Sequence, residues 1–171
     1  MAVTIRAGRP EDGPRLQVIE RMAGGRFREV GLGFVADHDP ASLDELASYA
    51  NAGRCWVAVG EEDRPIGYLL VDVVDGQAHV EQASVVPDQQ GTGIGQALLD
   101  RVERWAVELG MTAITLTTFT DVAWNRPLYE HLGFRVLTEH EIGPELRVLM
   151  TEEAGHGLDP TTRVAMVRDL R

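Results

Sequence analysis

Gln90-Gly91-Thr92-Gly93-Ile94-Gly95 is the run in this chain whose residue types and spacing point most directly to chemistry, and the chemistry is anion binding. It follows an extended apolar stretch, Val80 to Val86, closed by Pro87. It opens an amphipathic helix in which Leu98, Val102, Trp105 and Leu109 recur at spacings of four, three and four. A glycine-rich turn between a strand and a helix N-terminus offers several unpaired backbone N–H groups and the positive end of the helix dipole. That combination cradles a phosphate or pyrophosphate.

Spacing excludes the common phosphate loops. A P-loop needs Lys after its last glycine, and all 16 residues in the Lys+Arg count are Arg. The strand lysine of a protein kinase is missing for the same reason. A G-x-G-x-x-G dinucleotide fingerprint would place its third glycine at Gln96. Other catalytic signatures are weak or missing. Asp37-His38-Asp39 reads as a polar loop, because three consecutive residues rarely converge on one metal ion. His131, His140 and His156 lack H-E-x-x-H or paired-cysteine contexts, and no G-x-S-x-G elbow supports a serine hydrolase. Cys55 sits in an apolar strand pattern and reads as inert core.

The elements that must position the glycine turn are legible on both sides. Val3–Ile5 reads as a first strand and Asp12–Met22 as a helix ended by Gly24-Gly25. Ser42 with Glu45 is a capping box opening a helix to about Ala52. Cys55–Val59 and Pro65–Val74 read as strands, and Asp75-Gly76 as a hairpin turn into a strand over 78–86. Gly110 ends the long helix, and Ala113–Phe119 is a fifth strand reached by a parallel crossover. A short helix around Tyr129, a strand over Phe134–Thr138, a helix over Glu145–Ala154 and a last strand over Arg163–Arg168 complete one α/β domain with a mixed sheet, residues 1–171.

Composition narrows the partners. A net charge of −11 argues against nucleic acid and anionic membranes, and suits a cationic substrate. The first residues carry Arg6, Arg9, Glu11 and Asp12 rather than an apolar signal core, and no apolar run approaches the roughly 20 residues that span a bilayer. A single cysteine forms no internal disulfide, so a cytoplasmic location is expected.

With the Gln90-x-x-Gly93-x-Gly95 turn followed by Gln96-Ala97-Leu98-Leu99, the chain resembles the GNAT superfamily of N-acyltransferases, whose acyl-CoA pyrophosphate motif has this form. A second match, Trp124-Asn125-Arg126-Pro127-Leu128-Tyr129-Glu130-His131-Leu132-Gly133-Phe134, is similar to the short helix that precedes the sixth strand in that family. The resemblance implies a central mixed, mostly antiparallel sheet with splayed parallel strands 4 and 5, flanked by helices. It implies acetyl-CoA as cosubstrate, no metal, and direct acetyl transfer to an amine in a ternary complex. Backbone groups of Val85 and Val86 would meet the pantetheine arm. Amides of Gln90, Gly91, Thr92, Gly93, Ile94 and Gly95 would hold the pyrophosphate.

An alkylamine with a pKa near 10 is neutral in only about one part in a thousand at pH 7, so a base is required. His79 and Glu81 share a strand face and occupy positions where the family carries bases or water-relaying residues. Tyr129 matches the family's thiol-side proton donor; the other reading is a packing tyrosine. Where family members often carry Asn, seven residues before the tyrosine, this chain has Val122, and Asn125 stands closer as a cofactor contact or helix cap. Phe27 and Phe34 are acceptor-pocket candidates. The segments 26–40 and 141–155 read as lids over a small pocket, so the expected acceptor is a small-molecule amine. A protein or peptide acceptor and a non-catalytic acyl-CoA-binding module are the alternatives. A homodimer is compatible with the resemblance.

Overall fold

The computed structural model describes residues 3–25, 39–119, 126–155, 158 and 163–170. Its strands are β1 (Thr4–Ala7), β2 (Cys55–Val59), β3 (Pro65–Val74), β4 (Gln77–Val85), β5 (Ala113–Phe119), β6 (Arg135–Val136) and β7 (Arg163–Asp169). Its helices are α1 (Gly13–Gly24), α2 (Leu43–Asn51), α3 (Ile94–Glu108), α4 (Arg126–His131) and α5 (Pro144–Gly155). The strands hydrogen-bond in the order β1-β2-β3-β4-β5-β7-β6. The β1–β2, β2–β3, β5–β7 and β6–β7 pairs are antiparallel, and β4–β5 is parallel. Among the described residues no helix is long and apolar enough to cross a membrane.

The chain forms two compact units. One comprises residues 1–71 and 81–102, the other residues 72–80 and 103–171. The core of the first joins Leu16 and Ile19 of α1 and Leu46 of α2 to Val57, Tyr68, Leu70 and Val86. Burial of each large side chain of this kind contributes about 1.5–3 kcal/mol. Ser42 caps α2, accepting the Glu45 N–H at 3.1 Å.

In the second unit the β3–β4 turn has positive φ at both Asp75 (53°) and Gly76 (74°), the requirement of a two-residue hairpin. The Gln77 side chain fastens the start of β4 to β5. Its Oε1 accepts from the Thr112 and Ala113 amides at 2.8 and 3.1 Å. β5 and β7 pair over seven residues, Ala113↔Asp169 to Phe119↔Arg163. Leu146 of α5 packs into a cluster with Val74 and Ala165, joined by Leu149 and Met150. Asp75 caps α5 from the hairpin, its carboxylate accepting from the Glu145 and Leu146 amides at 2.9 and 3.1 Å. Glu145 returns the bond by accepting the Asp75 N–H at 2.5 Å.

The mixed sheet, its parallel β4–β5 pair and its flanking helices agree with the sequence reading. The strand expected over Phe134–Thr138 is shorter, at two residues. A capping box follows it, where Thr138 donates its N–H to the Glu141 carboxylate at 3.0 Å and its carbonyl accepts the Glu141 N–H at 3.0 Å, opening a short turn over Glu139–Glu141.

Candidate active site

The parallel pair is short. Ala78↔Ile114 and His79↔Thr115 are its register, and β4 runs on to Val85 while β5 runs on to Phe119. Val86 is buried at the end of β4, its N–H donated to the Ile66 carbonyl at 2.9 Å and its carbonyl accepting from Gln89 at 3.0 Å. The Val85 carbonyl accepts from the Gln90 side chain at 3.1 Å. The pantetheine contacts expected of this pair therefore start from backbone groups already in use at Val86, with Gln90 covering Val85.

The glycine turn is exposed from Gly91 to Gly93, and Ile94, 3% exposed, anchors the first turn of α3. Gly67 of β3 makes that anchoring possible. A Cβ there would stand 3.2 Å from Ile94 and from the Ser84 carbonyl, and 3.3 Å from Val85. An isolated glycine inside a strand signals such a close approach, and the sequence reading passed over it.

Gly91 and Gly93 have φ of 79° and 88°, where a side chain is strained. Gly95 lies outside that region, and a Cβ there would meet nothing within 4 Å. Among the described residues no contact requires glycine at 95.

The titratable candidates occupy unlike settings. His79 is 1% exposed, with Nδ1 2.8 Å from Thr115 Oγ1. Burial pushes its pKa down to about 4, opposed by the charge of Asp72. Glu81, two residues on, is exposed. Alternation on the strand relates the two positions, but along that face one is covered by the core and the other is open to solvent. Cys55 is inert core, as its pattern predicts, with burial raising the thiol to about 12.

Tyr129 is half-buried on α4, its ring edge-on to Phe134 at 5.8 Å between centroids. Its carbonyl accepts the Phe134 N–H at 2.9 Å, which explains the spacing of Tyr129 before Gly133-Phe134. Desolvation raises the pKa of its hydroxyl, and the positive charge of Arg163 acts in the opposite sense. The phenol is thus protonated at neutral pH and able to donate. Asn125, Phe27 and Phe34, as well as Asp37 and His38, lie outside the described residues.

Comparison with known proteins agrees with this geometry. The chain is 29% identical over 143 residues to the peptidyl-lysine N-acetyltransferase YjaB of Salmonella typhimurium, which covers 83% of this chain and 90% of that protein. It is 29% identical to the YjaB of Escherichia coli, with 83% and 88% covered. Its fold matches that of the PaiA N-acetyltransferase from Thermoplasma acidophilum in complex with coenzyme A. The TM-score is 0.74 over 99% of both chains, at 15% identity. The sequence profile of the acetyltransferase (GNAT) family matches residues 26–134. That span takes in the glycine turn, the strands on either side of it and Tyr129, so the chain belongs to the GNAT family and is an acetyl-CoA-dependent N-acetyltransferase.

Proposed function

We propose that this enzyme acetylates a primary amine, with the lysine side chain of a peptide as the first acceptor class to test. The observation that carries the cofactor half is the turn at Gly91–Gly95, exposed from Gly91 to Gly93 and with room beside Gly95 that no described residue fills. Amides from Gln90 to Gly95 hold the pyrophosphate in this reading, and Val85 and Val86 guide the pantetheine arm. When bound, acetyl-CoA supplies the activated acyl group.

Two side chains divide the proton work. Tyr129 donates from its protonated phenol to the departing thiolate. Glu81, exposed on β4, takes the proton of the amine directly or through water. His79 suits that task less well, because it is buried, 1% exposed, with Nδ1 held to Thr115, whereas Glu81 is open to the amine or to a relaying water. We assign it to the support of β5 through Thr115. General acid and base groups each contribute about 10²–10⁴-fold.

Two observations favour a peptide over a small amine. The relatives above carry the peptidyl-lysine name. In addition, α5, expected to be a lid, is packed into the apolar cluster with Val74 and Ala165 and capped by Asp75. The other expected lid, 26–40, lies almost wholly outside the described residues.

The test is acetyl-CoA-dependent thiol release over a panel of lysine peptides and small amines, with Tyr129→Phe in parallel. Turnover on lysine peptides that falls about 10²-fold in the variant supports the reading. Turnover confined to small amines moves the acceptor to that class. Unchanged turnover in Tyr129→Phe removes the tyrosine from the mechanism.

A further inference from the structure

Backbone that receives a ligand must keep its hydrogen-bonding groups satisfied until the ligand arrives. We propose that the Gln90 side chain is a stand-in for the arm of the cosubstrate. It holds the Val85 carbonyl in the free enzyme and gives that acceptor up to an amide N–H of pantetheine when acetyl-CoA docks. This rests on the reading that Val85 guides the arm.

The carbonyls at the end of β4 are closed in unlike ways. The Val86 carbonyl accepts from the Gln89 N–H at 3.0 Å, and the Pro87 carbonyl accepts from the Gln90 N–H at 3.3 Å. Both bonds run from backbone to backbone, so breaking either one unwinds the short turn over Pro87–Gln89. The Gln89 carbonyl accepts from the Thr92 hydroxyl, which sits on a short side chain. The Val85 carbonyl is the exception. It accepts from Nε2 of Gln90, five residues on, at 3.1 Å. Glutamine spans that distance with a long side chain, so a change of rotamer frees the acceptor and leaves the backbone where it is.

The backbone around Val85 is fixed by other means. The neighbouring Val86 N–H donates to the Ile66 carbonyl at 2.9 Å. A Cβ at Gly67 would stand 3.3 Å from the Val85 side chain, so the two strands are in close contact there. Val85 and Gln90 are both half-buried, which leaves their bond open to an incoming donor. A neutral hydrogen bond from a flexible side chain contributes little net stability, because ordering that side chain opposes it. Gln90 is therefore an occupant that is easily displaced. The exchange conserves hydrogen bonds: an amide N–H of the arm replaces Nε2 at Val85, and Nε2 returns to water. Gly91 to Gly93 stay exposed throughout, so the pyrophosphate end can settle before the arm does.

The test is calorimetric titration with coenzyme A and with 3′-phosphoadenosine 5′-diphosphate, the same nucleotide without the arm. Each is titrated into the native enzyme and into Gln90→Met, which keeps the side-chain length and lacks the donor. The readout is the ratio of the two affinities, in which any effect of the substitution on the pyrophosphate turn cancels. Gln90→Met should raise the preference for coenzyme A about threefold to tenfold, the net contribution of one neutral hydrogen bond. A carbonyl has two lone pairs, and a Gln90 that stayed on Val85 beside the arm would leave the ratio unchanged or lower it. Either result overturns the proposal. A second measurement needs no variant. In isotope-labelled native enzyme, the side-chain amide resonances of Gln90, assigned through bonds, should move toward those of solvated glutamine with coenzyme A and hold still with the nucleotide. Resonances that hold still with both ligands also overturn it. Equal affinity for the two ligands in both proteins would sink the Val85 reading itself, whereas an equal preference for coenzyme A in both sinks the stand-in alone.

Discussion

Gly93 and Gly95 look alike in the sequence and are glycines for different reasons. Gly93 has a φ of 88°, so a side chain there strains the backbone by about 1–2 kcal/mol. Gly95 is helical, and an added Cβ meets nothing within 4 Å among the described residues. Valine is no worse than glycine in a helix. Gly95→Val should therefore keep its melting temperature and lose coenzyme A affinity, whereas Gly93→Val should lose both. Calorimetric titration with coenzyme A alongside thermal melts separates the two, and retained affinity in Gly95→Val would count against the pyrophosphate assignment.

His79 gives a second expectation at this scale. In the unfolded chain it takes a proton near pH 6.5, in the folded protein only near 4. Between those values the unfolded state binds more protons, so stability falls as pH drops from 6.5 toward 4 and the loss levels off below. The total is about 2–4 kcal/mol for a fully buried ring. His79→Gln should flatten the slope of melting temperature against pH in that window. A slope equal to that of the native protein would mean that another group sets it.

At the scale of elements, the sequence was most legible where order is local. Cys55–Val59, Pro65–Val74 and Ala113–Phe119 are strands in the structure as the apolar patterns predict. The Asp75-Gly76 hairpin and the Ser42 cap follow from residues within a few positions of each other. What escaped was long-range. Gly67 matters because α3 lands on it, Asp75 because Glu145 and Leu146 arrive 70 and 71 residues later, and Arg163 because Thr117 and Glu153 surround it. The site was half legible for the same reason. A turn motif shows its glycines, but alternation alone could not say that His79 would be buried and Glu81 exposed. Gly143 is another such case, since a Cβ there would stand 2.3 Å from the Asp75 carboxylate. Asp75→Ala should cost about 1 kcal/mol of cap, or roughly 2–4 °C of melting temperature, with Asp75→Asn in between, because its single amide oxygen accepts from only one of the two N–H groups. Gly143→Ala should cost at least as much, and equal melting temperatures for all would show that the cap carries no stability.

Across the whole molecule, 27 acidic residues against 16 arginines leave a charge of −11. That field draws in a cationic acceptor better than an anionic one. The chain has no lysine, so the enzyme presents no lysine side chain of its own for acetylation. The helix α5 adds a consequence in time rather than in energy. It is held by Asp75 at one end, by the Glu153–Arg163 pair at the other, and by Leu146 in its apolar cluster. A helix tied at both ends frays little, so its amides exchange with solvent only when the whole segment lifts. Under native conditions the amides of α5 should exchange at nearly one common rate. Loss of Asp75 should release that rate along the full length of the helix, rather than at its first turn alone.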